Sequence, residues 1–147
     1  MRACRKATGF TLIEILITVA LIGILTAIAI PNMFRAQDRS KYSRAAADAK
    51  TVVSQALTYA TEKGSYPTSM GTLRESGYAS VADADPWGTP YVLAAPLTSG
   101  GRPAAGDDIY IYSKGSSRTG SYVPGIANNG PGGATGYSSA YGSFMGQ

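Results

Sequence analysis

Gly9-Phe10-Thr11-Leu12-Ile13-Glu14 opens an apolar run that continues to Ile30-Pro31. From Phe10 to Ile30 the 21 residues carry a single charge, Glu14. As an α-helix at about 1.5 Å per residue they reach roughly 31 Å, the thickness of a bilayer's hydrocarbon core. An ionised carboxylate in hydrocarbon costs about 2.5–3.5 kcal/mol on insertion scales, so Glu14 needs a partner. A secretory signal, a plain membrane anchor and a packed filament core all accommodate a run of this length.

The flanks separate these readings. Residues 1–9 carry Arg2, Arg5 and Lys6 and no acid, as a segment retained on the cytoplasmic side does. Arg35, Arg39, Lys41 and Arg44 follow the run, so counting positive charges does not orient it. Ala27-Ile28-Ala29 offers a signal-type cleavage site, but the run is longer than the usual apolar region and holds an acid. A plain anchor leaves Glu14 and Pro31 unexplained. Cutting after Gly9 instead frees the Phe10 amine one helical turn from Glu14, and the two opposite charges become natural partners.

Composition narrows the function. The chain has 147 residues and no histidine, so the usual imidazole base and the commonest metal ligand are missing, and an enzyme is not expected. The net charge of +4 falls to +1 without the first nine residues, which argues against a nucleic-acid partner. The single cysteine, Cys4, precedes Gly9, so a form cut there has no intramolecular disulfide.

From Asp38 to Lys63 the pattern becomes amphipathic. Tyr42, Ala45, Ala46, Ala49, Val52, Val53, Ala56, Leu57 and Ala60 recur at three- and four-residue spacing, and Gly64 with Tyr66-Pro67 ends the helix. Residues 10–31 and 32–63 thus read as one helix, greasy all round at first and then one-sided. Gly23 and Pro31 mark its weakest section, since glycine lowers propensity by about 1 kcal/mol and proline removes the bond to the Ala27 carbonyl. Local unwinding and a close-packing or kinking role are both open there.

Thr68 or Ser69 caps a short helix bearing Met70 and Leu73, with Gly77 as its end. Asp85-Pro86-Trp87-Gly88-Thr89-Pro90-Tyr91 is a tight turn whose Trp87 plugs the core. Residues 91–94 and 108–113 alternate as strands do, with 121–123 as a short third, and the tyrosines cover one sheet face. Residues 124–147 hold seven glycines in 24 positions and no charge, so this tail buries little by itself.

The motif at Gly9 to Glu14, with its basic leader and uncharged run to Pro31, resembles the processing signature of the type IV pilin superfamily. The resemblance implies an α+β fold, with a long N-terminal helix serving as membrane span and then filament stem, packed on a small antiparallel sheet head at 64–123. It implies cleavage of leader 1–9 by a prepilin peptidase, N-methylation of Phe10, and neutralisation of the Phe10 amine by Glu14 of a neighbouring copy. Partners so implied are the chain itself, the peptidase and methyltransferase, an inner-membrane assembly platform and, before assembly, lipid. The implied location is the bacterial inner membrane, single-pass with a periplasmic head, and later a filament.

Tyr66-Pro67 with the Asp-Pro-Trp-Gly turn is similar to the major pseudopilin of type II secretion, which is the branch expected here. An extracellular type IV pilus subunit is the alternative, and a membrane-anchored periplasmic binding domain that never polymerises is a second. The pseudopilin resemblance also implies calcium in the loop after the second strand, with Asp107 and Asp108 as the acids to consider. No acid follows Asp108 and Arg118 brings a cation, so these two read instead as turn and strand-edge residues and no cofactor is expected.

Overall fold

The computed structural model describes residues 9–95, 107–122 and 133–146. The chain divides into two units, Met1–Gln37 and Asp38–Gln147, and one helix, α1 (Leu12–Lys63), contributes to both.

In the first unit α1 is continuous through Gly23 and Pro31, so the single chain shows no unwinding there. Three of its polar side chains bond within the helix. Thr18 and Thr26 hydroxyls donate to the Ile15 and Ile22 carbonyls, and the Asn32 amide donates to the Ile28 carbonyl. Glu14 remains the one charged side chain of the run.

In the second unit, α1 carries the predicted one-sided stripe. Tyr42, Ala45, Ala49, Val52, Val53, Ala56 and Ala60 are buried, whereas Ala46 is half-buried and Leu57 is exposed. The stripe is mostly alanine, so the helix backbone can approach the core closely while Val52 and Val53 supply bulk. Against it pack Leu73, Ile109 and Ile111, all fully buried, each contributing about 1.5–3 kcal/mol of burial.

Gly64, at φ +71°, ends α1, its N–H donating to the Ala60 carbonyl. The short helix α2 (Met70–Glu75) starts at Ser69, whose hydroxyl accepts from the Thr72 N–H. It stops at Gly77, where the Gly77 and Tyr78 N–H groups return to the Arg74 and Leu73 carbonyls.

The sheet is antiparallel, with strands β1 (Val92–Ala94), β2 (Tyr110–Ser113), β3 (Thr135–Ser138) and β4 (Gly142–Met145) in sequence order. The α+β expectation of a long helix with an antiparallel sheet holds. Two details differ. Ser121 and Tyr122 form no strand, and Val123 lies outside the described residues. The tail expected to bury little supplies β3 and β4, so the sheet extends past the expected head boundary at 123.

The physical reason is a glycine fitted to an aromatic. Gly136 pairs with Tyr112 on one side and Phe144 on the other, and a Cβ there would lie 2.1 Å from the Ile111 carbonyl oxygen. Phe144 fills the space, and Tyr122 stacks on Phe144 with ring centroids 4.0 Å apart. Tyr110 and Tyr112 complete this outer aromatic face, while Ile109, Ile111 and Ser113 point inward and are buried. The tyrosines do cover one side of the sheet.

Candidate functional site

Two groups of residues are candidates for a functional role. The first is the start of α1. Phe10 is 78% exposed and every residue from 9 to 40 is exposed in the single chain. An uninterrupted apolar surface of this extent is far beyond what a soluble monomer leaves in water, and it requires lipid or other copies of the chain as its environment. Among the described residues α1 is the one helix long and apolar enough to cross a membrane. Glu14 lies in its first turn, where the helix dipole favours a carboxylate. Gly23 has no atom within 4 Å of where a Cβ would be, so nothing in the single chain demands glycine there.

The second group is centred on Asp85, in the head. Pro86 and Trp87 occupy the corners of a tight turn that Gly88 closes at φ +81°, its N–H donating to the Asp85 carbonyl at 2.9 Å. Asp85 Oδ1 accepts from the Trp87 and Thr89 N–H groups at 3.0 and 2.8 Å, and Oδ2 accepts from the Thr89 and Ser113 hydroxyls. Burial pushes this carboxyl up, but the bonds from Ser113, Thr89 and Trp87 outweigh it and hold it below the ordinary aspartate range.

Trp87 packs at 4.7 Å from the Tyr42 ring, and the Tyr42 hydroxyl meets Ser116 Oγ at 2.9 Å. The turn therefore joins α1 to the loop after β2. Beside it the buried Tyr91 hydroxyl donates to Asp48 on α1 at 3.2 Å, and burial together with that carboxylate raises the Tyr91 phenol far above its ordinary value. Sequence reading found Asp85 to Gly88 but missed Thr89, Ser113, Tyr42 and Ser116 as partners. The Asp-x-x-x-Thr spacing is the one local signal that points to any of them.

Asp108 stands just ahead of β2. Its Oδ1 accepts from the Ser138 and Ser139 hydroxyls and the Ala140 N–H, so it clamps the β3–β4 turn. Asp108 Oδ2 is buried without a hydrogen-bond partner. Among the described residues no three carboxylates or thiolates gather as a metal-ligand group.

Residues 4–30 match the prokaryotic N-terminal methylation motif. Over 112 residues the chain is 31% identical to type II secretion system core protein G of Pseudomonas aeruginosa, covering 65% of this chain and 79% of that protein. The Escherichia coli core protein G is 30% identical over the same length, with 77% of it covered. The chain belongs to the type IV pilin superfamily. Within it, the chain is also 33% identical to the type IV major pilin protein PilA of Myxococcus xanthus, over 91% of this chain and 64% of that one. No solved structure matches. As a member of this superfamily the chain is a structural subunit of a type IV pilus-like filament, anchored in the membrane by the apolar start of α1.

Proposed function

We propose that this subunit is a pseudopilin of a type II secretion system, cut between Gly9 and Phe10, methylated at the Phe10 amine, and without catalytic activity of its own. The observation that carries the branch is the Asp85-Pro86-Trp87-Gly88 turn bound to Ser113, beside the 31% identity to core protein G over 65% of this chain. In the membrane before assembly, the head lies in the periplasm and Arg2, Arg5 and Lys6 stay with the leader on the cytoplasmic side. The inner-membrane assembly platform is then the partner that extracts each copy.

Glu14 gives extraction a direction. Alone in lipid it is costly, and beside a neighbour's Phe10 amine its charge is compensated. Gly23 and Pro31 serve the packed state, where close helix approach and a weakened ladder matter and where the single chain gives them no task. Extracellular pilus assembly is the second reading, favoured by the match to PilA over 91% of this chain.

Deleting the gene in its host and assaying both secreted enzymes and surface filaments separates the two. Lost secretion with intact surface pili supports the pseudopilin; lost pili with intact secretion supports the pilin. Mass spectrometry of the purified subunit tests processing, and a mature chain that does not begin at methylated Phe10 refutes both.

A further inference from the structure

The pseudopilin resemblance implies calcium in the loop that follows β2, and the donors there do not suit it. Calcium takes six to eight oxygens, several of them carboxylates. All nine acids of the chain fall among the described residues, none follows Asp108, and no three cluster. The loop instead carries Lys114 and Arg118. Asp85, which reaches the loop through Ser113, already accepts from four donors, and among the described residues the one buried carboxylate oxygen without a hydrogen-bond partner, on Asp108, lies before β2 and not in the loop after it.

Residues 113–120 of the loop are nevertheless closed by hydrogen bonds of their own. Ser113 Oγ donates to Asp85 and accepts from the Gly115 N–H at 3.0 Å. The Arg118 N–H returns to the Gly115 carbonyl and the Gly120 N–H to the Lys114 carbonyl. Arg118 sits at φ 60°, the one left-handed non-glycine among the described residues, and its guanidinium donates to the Trp87 carbonyl at 3.3 Å. A backbone conformation that disfavours side chains is held here by contacts that need one. Gly120 completes the closure, because a Cβ there would lie 2.5 Å from the Ala134 nitrogen.

From this arrangement we infer that a side-chain clasp of Asp85, Ser113 and Arg118 replaces a divalent cation, and that the head folds and stays folded without calcium. This goes beyond the filament reading, which holds for calcium-dependent and calcium-independent heads alike. The clasp brings Arg118 onto the carbonyl of Trp87, the chain's single tryptophan, so intrinsic fluorescence reports on it directly.

The test uses the full-length processed subunit in detergent micelles, melted in millimolar calcium chloride and in excess EGTA, with bound calcium measured by equilibrium dialysis. The expected result is the same melting temperature in both buffers and no stoichiometric calcium. A melting temperature raised by calcium, or one ion retained per chain, overturns the inference. Ser113→Ala is expected to lower the melting temperature equally in both buffers, and no loss in EGTA also overturns it. Should Ser113→Ala fail to fold, that supports the clasp, and the wild-type titration still decides on calcium.

Discussion

Ser113 Oγ donates to Asp85 Oδ2 at 2.5 Å across 28 positions of sequence, and both residues are buried. One end of this bond is a turn preceding β1 and the other is the last residue of β2. The same carboxylate fixes the turn through the Trp87 and Thr89 N–H groups, and the same hydroxyl starts the following loop through Gly115. A single acid therefore coordinates three segments that carry no strong structure of their own, and each bond it accepts is charge-assisted.

Asp85→Asn should accordingly cost about 2–3 kcal/mol of head stability, since hydrogen bonds to a charged group are worth more than neutral ones and the new amide points donors at existing donors. Urea unfolding followed by Trp87 fluorescence measures this. A midpoint unchanged from wild type would show that the carboxylate's charge is dispensable.

The same group sets an acid limit. Its folded pKa lies below the ordinary 3.8, so the folded state binds this proton less readily than the unfolded chain. The stabilisation is fully present above the unfolded value and is lost as pH falls through the folded one. The melting temperature of wild type should thus drop below about pH 4, and the Asp85→Asn difference should shrink over that window. Parallel pH profiles for the two proteins would remove Asp85 from the account.

How much of this was legible in the sequence depends on how local the determining contacts are. The long helix follows from spacing within a few residues and its end from Gly64, and the start of α2 follows from the capping Ser69. The Pro-Trp-Gly turn is equally local. β3 and β4 were not legible, because Thr135-Gly136-Tyr137-Ser138 and Gly142-Ser143-Phe144-Met145 are poor strand formers alone. They pair because β2 offers an edge and because Phe144 and Tyr122 cover the glycine at 136. The partners of Asp85 were missed for the same reason, since Ser113 and Tyr42 meet it only through the fold. The proposed role of Glu14 rests on a local signal, since Phe10 lies four residues before it in the sequence.

Gly136→Ala should be among the most damaging small substitutions. The added carbon meets the Ile111 carbonyl oxygen at 2.1 Å and the Tyr112 Cα at 2.8 Å, and backbone inside a paired strand cannot yield. Overpacking costs typically about 1–3 kcal/mol, and this site belongs at or above the upper end. Gly88→Ala meets nothing within 4 Å and bears only its φ of +81°, worth about 1–2 kcal/mol. Chemical denaturation of both variants should rank them in that order, and the reverse order would contradict the Gly136–Phe144 fit.

Glu14→Ala separates anchoring from assembly. Removing the charge makes the run more apolar, so membrane insertion and removal of the leader should be retained or improved. The head should melt as wild type does, because Glu14 is exposed and belongs to the other unit. What the variant loses is compensation of a neighbour's Phe10 amine, which must then enter the packed helices as an unpaired cation, a cost that breaking a buried pair puts at about 3–5 kcal/mol per subunit. Repeated at every subunit, such a cost should reduce sheared filament yield to near background while processed protein accumulates in the membrane fraction. Glu14→Gln, which keeps the shape and drops the charge, should fail in the same way. Normal filaments from either variant would mean that apolar packing of α1 alone drives polymerisation.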